Sequence, residues 1–189
     1  MSIIVTTFPR SGSHFLKKHI NENFYVDENF IFTHDMVLKE SNNLITIVRN
    51  PKDAISSLIT MNYHYRVNNK SFQLLSIDKE IMTVKIRYYK YYQYLLNSNV
   101  DIIIDYNFLN TNIDQIIDHI GKKLNLKRNN KNIEFLLNNE TESKHLITSK
   151  ESMHYEQIKT IVNQQKFDIQ DQLYKEVLSK SFLNLKNTI

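Results

Sequence analysis

The sequence predicts an α/β fold in which helices flank a parallel β-sheet. Four short runs rich in Ile, Val and Phe, at residues 3–8, 30–33, 44–48 and 100–104, are predicted to be strands. Three of them are continuously apolar, as strands buried on both faces are. Helical periodicity marks residues 13–23, 51–63, 78–96 and 113–124. Because these strands alternate with helices, a parallel sheet is favoured over an antiparallel one.

The strand pattern ends before the last third of the chain. Beyond residue 125 the sequence predicts helices at 132–138, 152–165 and 169–183 and loops at 129–132 and 146–152. A chain of 189 residues is long enough for one hydrophobic core. We therefore expect a single domain over residues 1–189, with an α/β core over 1–125 and a helical C-terminal part over 126–189.

Composition excludes several classes of site. The chain has no cysteine, which rules out disulfides, thiolate catalysis and cysteine-based zinc sites. The net charge of +4 suits an anionic ligand and is too small to indicate nucleic acid. The N-terminus lacks the pattern of a signal peptide, and no apolar run approaches the roughly 18 residues of a membrane span. We expect a cytoplasmic protein with neither a membrane nor a nucleic-acid partner.

The first strand runs into a loop, TTFPRSGSHF at residues 6–15, that has the features of an anion site. Pro9 ends the strand, Gly12 permits a backbone shape closed to other residues, and Ser13 is a good helix N-cap. Backbone N–H groups at such a helix start favour an anion, and Arg10 adds a positive charge. A well-capped turn with a surface arginine is the other interpretation. No Lys-Ser/Thr pair follows the glycine, so the loop is not a Walker A motif.

A second strand-to-helix loop also carries an arginine. The third strand is followed by RNPKD at residues 49–53, where Asn50 is predicted to be the N-cap and Pro51 the first helical residue. In a parallel sheet both loops open at the carboxyl edge, where ligands bind. Arg49 paired with a carboxylate is the structural alternative. Two arginine-bearing loops at one edge favour a ligand with phosphates at two ends.

Four segments resemble motifs of one family, and they follow one another along the chain in the family's order. FPRSGSHF at residues 8–15 resembles YPKSGTTW, and VRNPKDAISS at 48–57 resembles RNPKDxxxS. FTH at 32–34 and DYNFL at 105–109 are similar to KTH and YEDL. The family is the cytosolic-type sulfotransferases, which use 3′-phosphoadenosine 5′-phosphosulfate (PAPS). The resemblance covers about residues 3 to 124.

This resemblance implies a P-loop-like sulfotransferase fold and transfer of a sulfuryl group from PAPS to a hydroxyl or amine. The acceptor would be a small molecule or a glycan, the nucleotide product adenosine 3′,5′-diphosphate (PAP), and no metal would be required. His34 would be the catalytic base, and Arg10 would stabilise charge on the transferring group. Asp35, the next residue, is left open as the base or as the group that orients the histidine.

The resemblance also implies a set of cofactor-binding residues. The 5′-phosphate would lie in the first loop, the 3′-phosphate in the second, and an aromatic side chain against the adenine. The residues so assigned are Arg10, Ser11, Gly12, Ser13, His14, Phe15, Arg49, Ser57 and Tyr106.

The sequence departs from the family pattern at several points. Arg10 and Phe32 stand where the family usually has lysine, and Phe15 replaces a tryptophan. No glycine follows Gly121, so the glycine-rich element that closes over the 3′-phosphate is absent. The segment with His145, Ser149 and Lys150 is a candidate replacement.

Two other functions remain open from the sequence. A small P-loop kinase is the first, because the fourth strand runs into Asp105 as a Walker B segment does. A non-catalytic nucleotide-binding protein is the second, because the base and the acceptor pocket are the least readable parts.

The tyrosine-rich stretch RYYKYYQY at residues 87–94 allows two interpretations. It is either a surface for stacking nucleic-acid bases or one side of an amphipathic helix that covers the sheet. Helical spacing favours the covering helix, with Ile86, Tyr89 and Leu96 facing inward.

Overall fold

A computed structural model describes residues 2–25, 30–36, 43–68, 77–109, 111–129 and 155–180. It contains a four-stranded sheet in the order β2-β1-β3-β4, in which every neighbouring pair is parallel. The predicted α/β fold with a parallel sheet is confirmed. The strands are β1 (Ile3–Thr7), β2 (Phe30–Thr33), β3 (Leu44–Val48) and β4 (Ile102–Asp105).

Three strand ends differ from the prediction. β4 ends one residue late, at Asp105, which pairs with Val48. The other two differences have identifiable reasons. β1 ends one residue early because the carbonyl of Phe8 accepts the N–H of Ser11 in a turn. β4 begins later because a carboxylate oxygen of Asp101 accepts the N–H of Leu44 at 2.6 Å. This side chain takes the place of a backbone partner at the start of the ladder.

Seven helices are present among the described residues. Those at 13–23 and 113–124 match the prediction, whereas the second continues past residue 63. The predicted helix at 132–138 and loop at 146–152 lie outside the described residues, as does most of the predicted loop at 129–132. The helices are α1 (Ser13–Asn23), α2 (Pro51–Asn68), α3 (Ile77–Asn97), α4 (Tyr106–Leu109), α5 (Ile113–Leu124), α6 (Tyr155–Asn163) and α7 (Asp168–Ser179).

The sheet lies between two layers of helices. Alternate strand side chains point to opposite faces, and the face that includes Val5, Ile47 and Ile104 packs with α1 and α5. The opposite face, which includes Ile103, packs with α2, α3, α6 and α7. The C-terminal helices α6 and α7 contact α2 and α3 respectively. Among the described helices, none has both the length and the apolar character of a membrane span.

Helix α3 covers the sheet as predicted, but with a different face. Ile86 and Tyr89 were expected to point inward, yet they are 51% and 41% exposed, and Leu96 is only partly buried. The buried face is instead formed by Ile81, Val84, Tyr88, Tyr91, Tyr92 and Leu95.

The reason for the different face is a buried polar network. The hydroxyl of Tyr91 lies 3.1 Å from Oγ1 of Thr46 and donates to Oγ1 of Thr6 at 3.3 Å. These two threonines are direct partners across β1 and β3. Buried polar groups need hydrogen-bond partners, so the tyrosine side of α3 faces the sheet. The network ties α3 to the two central strands.

We predict a contrast between two aliphatic substitutions on α3. Leu95→Ala should lower the free energy of unfolding by about 2–5 kcal/mol, because it leaves a cavity in the core. Ile86→Ala should change it by less than about 0.5 kcal/mol, as exposed positions do. Urea unfolding followed by circular dichroism measures both. Equal losses would show that the face of α3 is assigned wrongly.

Candidate anion-binding site

The predicted site residues lie along the carboxyl edge of the sheet. His34 follows β2, Arg49 follows β3 and Tyr106 follows β4, while the loop at residues 8–12 follows β1. In the order β2-β1-β3-β4 the strand order reverses between β1 and β3. Ligands of open α/β sheets bind at this switch point. The two arginine-bearing loops are the ones that leave the strands on either side of it.

The first loop contains a turn with unusual backbone geometry. The N–H of Ser11 donates to the carbonyl of Phe8 at 3.2 Å, with Pro9 at the second position of the turn. Arg10, at the third position, has a φ of +68°. A left-handed conformation costs a non-glycine residue about 1–2 kcal/mol. Such strain persists where the surrounding structure requires the residue, and functional sites are where it concentrates.

Gly12 is the residue that joins the first loop to α1. Its φ is +89°, and a Cβ there would lie 2.7 Å from Cδ2 of Leu109 and 3.1 Å from Cε2 of Tyr106. Gly12 is also the N-cap of α1, where Ser13 was expected; the serine is the first helical residue and is buried. The glycine carbonyl accepts the first helical bond, from Leu16. No side chain among the described residues caps the first turn of α1.

The side chain of Arg49 connects the two loops. Its Nη1 donates to the carbonyl of Arg10 at 2.6 Å, and its guanidinium carbon lies 4.2 Å from the ring centroid of Tyr106. Arg49 is only 9% exposed, and its buried Nε has no hydrogen-bond partner among the described residues. The predicted N-cap of the next helix is confirmed, since Oδ1 of Asn50 accepts the N–H of Lys52.

The backbone of Arg49 is held by two tyrosines that the sequence analysis missed. Its N–H donates to the hydroxyl of Tyr92 at 2.9 Å. Its carbonyl accepts from the hydroxyls of Tyr88 and Tyr92 at 2.7 and 3.0 Å. The signal was present in the sequence, because tyrosines spaced four apart on a buried face require polar partners.

Arg10 and Ser57 were expected to serve opposite ends of a ligand. In the structure, Nε of Arg10 donates to Oγ of Ser57 at 3.4 Å. Since Arg49 binds the Arg10 carbonyl, the two predicted phosphate sites form one connected cluster.

His34 lies at the end of β2 with its ring oriented by β1. Its Nδ1 is 3.0 Å from the carbonyl oxygen of Thr7 and 3.1 Å from the hydroxyl of the same residue. A carbonyl oxygen can only accept, so this bond requires the proton on Nδ1 and leaves a lone pair on Nε2 in the neutral ring. No hydrogen bond joins Asp35 to the ring among the described residues; a carboxylate oxygen of Asp35 instead accepts from the hydroxyl of Thr33 at 3.2 Å.

The remaining predicted residues are distributed around the first loop. The hydroxyl oxygen of Ser11 is buried and has no hydrogen-bond partner among the described residues. Phe15 is 37% exposed, with its ring against His19 at 4.5 Å. The candidate closing residues at 145, 149 and 150 lie outside the described residues.

Positive charge is concentrated at this loop. Partial burial, followed by the nearby charges of His34, Arg10 and Lys17, lowers the pKa of His14. Within the residues that the structure describes, no three His, Asp or Glu side chains cluster as a metal ion would need. The site therefore presents cationic and hydroxyl donors at a sheet edge, which is the chemistry that binds phosphate.

Asp105, which supported the kinase alternative, makes hydrogen bonds within the protein. One of its carboxylate oxygens accepts the N–H of Asn107 at 3.0 Å and the hydroxyl of Tyr174 at 3.3 Å. These bonds hold the start of α4 and connect it to α7.

A comparison with solved structures finds mouse sulfotransferase SULT7A1 complexed with PAP, with a TM-score of 0.51. The match covers 98% of this chain and 84% of the mouse chain at 15% sequence identity. The chain has a sulfotransferase-like fold. At this identity the likeness concerns the fold alone. No protein-family model matches the sequence, and neither does any curated protein.

We predict that the protein is less stable in mild acid, partly through His14. Its pKa is lower in the folded state than the 6.5 of a free histidine, so below that pH the unfolded chain binds more protons and stability falls. His14→Gln should reduce the loss between pH 7.5 and 5.5. Urea unfolding at both values measures the difference. If His14→Gln loses as much stability between the two pH values as the wild type, His14 does not contribute to the loss in acid.

Proposed function

We propose that the protein is a sulfotransferase that transfers a sulfuryl group from PAPS to a hydroxyl or amine acceptor. The observation that supports this most strongly is a pair of buried donors without hydrogen-bond partners among the described residues, Nε of Arg49 and Oγ of Ser11. Leaving a buried donor unpaired costs about 1–3 kcal/mol. Both belong to the loops at the switch point, so a ligand bound there would satisfy them.

The donors suit a nucleotide with phosphates on both its 3′ and 5′ positions. Ser11 belongs to the first loop and Arg49 to the second, and the Arg49 side chain joins the two through the Arg10 carbonyl. The first turn of α1, uncapped by any described side chain, presents N–H groups to an anion. The mouse protein of the same fold carries PAP, which supports the assignment of this ligand class.

In this proposal each loop has its own part of the cofactor. The first loop would bind the 5′-phosphate and the second the 3′-phosphate, with Tyr106 and Phe15 as the flanking aromatic groups. When bound, PAPS supplies a sulfuryl group attached to a phosphate leaving group. The residues that would bind it are Arg10, Ser11, Gly12, Ser13, His14, Phe15, Arg49, Ser57 and Tyr106.

The protein groups around the acceptor would act as follows. Nε2 of His34 accepts the proton of the acceptor hydroxyl or amine, while Thr7 holds Nδ1. The Arg10 guanidinium stabilises the negative charge that develops on the transferring group and on the leaving phosphate. Fixed positions for both groups lower the entropic part of the barrier. The acceptor in this proposal is a small molecule or a glycan.

We predict that PAP binds more tightly than ADP or AMP, and does so without magnesium. The reason is that the second loop offers donors to a 3′-phosphate, which ADP and AMP lack. Isothermal titration calorimetry with and without magnesium measures the three affinities. Equal affinity for ADP, or a strict need for magnesium, would favour the small kinase instead.

We predict that Arg49→Ala weakens PAP binding by about 2–5 kcal/mol, the scale for truncating a hydrogen-bonded charged partner. AMP affinity should fall less, because AMP has no 3′-phosphate and loses only the bond by which Arg49 holds the Arg10 carbonyl of the first loop. Arg87→Ala is a matched control, since it removes the same charge from the exposed side of α3. If Arg49→Ala weakens both nucleotides equally, its role is structural.

We predict that two substitutions lower turnover by different routes. Arg10→Ala should lower it about 10²–10³-fold, the loss for one preorganised donor. His34→Ala should lower it about 10²–10⁴-fold, the range for a general base, with PAP affinity retained. Transfer of labelled sulfate to a panel of hydroxyl and amine acceptors measures this. Near-normal turnover in His34→Ala together with loss in a folded Asp35→Ala variant would move the base to Asp35.

A further inference from the structure

The backbone of Arg49 lacks partners from regular secondary structure. The β3–β4 ladder ends at the pair of Val48 and Asp105, and α2 begins at Pro51. A buried backbone N–H or carbonyl between a strand and a helix must find another hydrogen-bond partner. The hydroxyls of Tyr88 and Tyr92 supply these partners, with three hydrogen bonds between 2.7 and 3.0 Å.

The two tyrosines form a stacked pair next to the Arg49 backbone. Their rings stack with centroids 4.0 Å apart and planes inclined by 14°, and both are fully buried. Burial raises the pKa of both hydroxyls, so each keeps its proton and can donate. The ring of Tyr88 also meets Phe8 edge-on at 5.1 Å. The pair therefore supports the base of the first loop as well as the second.

The remaining contacts of Arg49 depend on this fixed backbone. The side chain reaches the Arg10 carbonyl and the face of Tyr106. A free arginine side chain has about 2 kcal/mol of rotamer entropy to lose on binding. When the backbone and the far end of the guanidinium are already held, that loss occurs during folding and not during binding.

We infer that Tyr88 and Tyr92 are positioning residues that hold Arg49 for a 3′-phosphate and thereby set the preference of the site for 3′-phosphorylated nucleotides. The inference rests on the proposed function. It assigns part of the selectivity of the site to two buried hydroxyls of α3, which act through the backbone of Arg49.

The neighbouring Tyr91 provides a matched control. It is equally buried on the same face of α3, but its hydroxyl bonds to Thr46 and Thr6 in the strands and not to Arg49. Replacing any of the three tyrosines by phenylalanine keeps the ring and removes one buried hydroxyl. A general loss of stability should therefore appear in all three variants, whereas an effect on Arg49 should appear in only two.

The first test compares the ratio of PAP to AMP affinity, measured by calorimetry, in Tyr92→Phe, Tyr88→Phe and Tyr91→Phe. Tyr92→Phe should lower the ratio about tenfold, since a lost hydrogen bond of about 1.4 kcal/mol corresponds to this factor. Tyr88→Phe should lower it less, because the Arg49 carbonyl keeps its bond to Tyr92. If Tyr92→Phe does not fold, Tyr88→Phe replaces it in the test. Tyr91→Phe should leave the ratio unchanged. A ratio that falls equally in all three variants would overturn the inference.

A double-mutant cycle shows whether the effect passes through Arg49. In the Arg49→Ala background, Tyr92→Phe should produce no further fall in the ratio. A second tenfold fall in that background would mean that Tyr92 acts by another route and would contradict the inference.

A measurement without nucleotide separates this inference from the proposed function. The ¹⁵N relaxation of the Arg49 Nε–H, assigned by its loss in Arg49→Ala, should show greater mobility in Tyr92→Phe and Tyr88→Phe than in the wild type and Tyr91→Phe. An unchanged order parameter of the Arg49 Nε–H bond in all variants would overturn the positioning role. Suppose that the order parameter changes as expected but the wild-type protein does not prefer PAP over AMP. The proposed function and the assigned selectivity then fail, whereas the conclusion that Tyr88 and Tyr92 hold Arg49 stands.

Discussion

The hydrogen bond from Arg49 to the carbonyl of Arg10 is the interaction on which the site depends. It joins the loop after β1 to the loop after β3, across the switch point of the sheet. Arg10, whose carbonyl accepts this bond, adopts a left-handed conformation. Gly12 then brings the chain close to Tyr106, whose ring supports the Arg49 guanidinium. Two loops that are distant in sequence thus become one cationic surface.

This arrangement opposes stability locally and is held by the core around it. A left-handed arginine, a buried Nε without a described partner and neighbouring positive groups each raise the energy of the folded state. This cost is offset by two apolar clusters, one on each face of the sheet, and by the tyrosines of α3. An anion that satisfies the unpaired donors would relieve part of the strain. A site that is unfavourable by itself and favourable when a phosphate is bound is preorganised for that ligand.

Much of the fold follows from local sequence pattern, and the site follows only in part. Three buried strands read as continuous apolar runs, and Asn50 and Pro51 mark the start of α2 because capping chemistry is local. The inward face of α3 was not predictable from aliphatic spacing, since Tyr91 faces the sheet to bond with threonines of two strands. The bond between Arg10 and Ser57 joins residues far apart in sequence, so loop motifs alone could not reveal it.

The most direct test of the account is a crystal structure of the protein with PAP. We predict that the 3′-phosphate lies within hydrogen-bond distance of Nε of Arg49 and the 5′-phosphate within that distance of Oγ of Ser11. The bond between Arg49 and the Arg10 carbonyl should persist in the complex. A nucleotide bound away from these two loops, or a 3′-phosphate that makes no contact with Arg49, would contradict it.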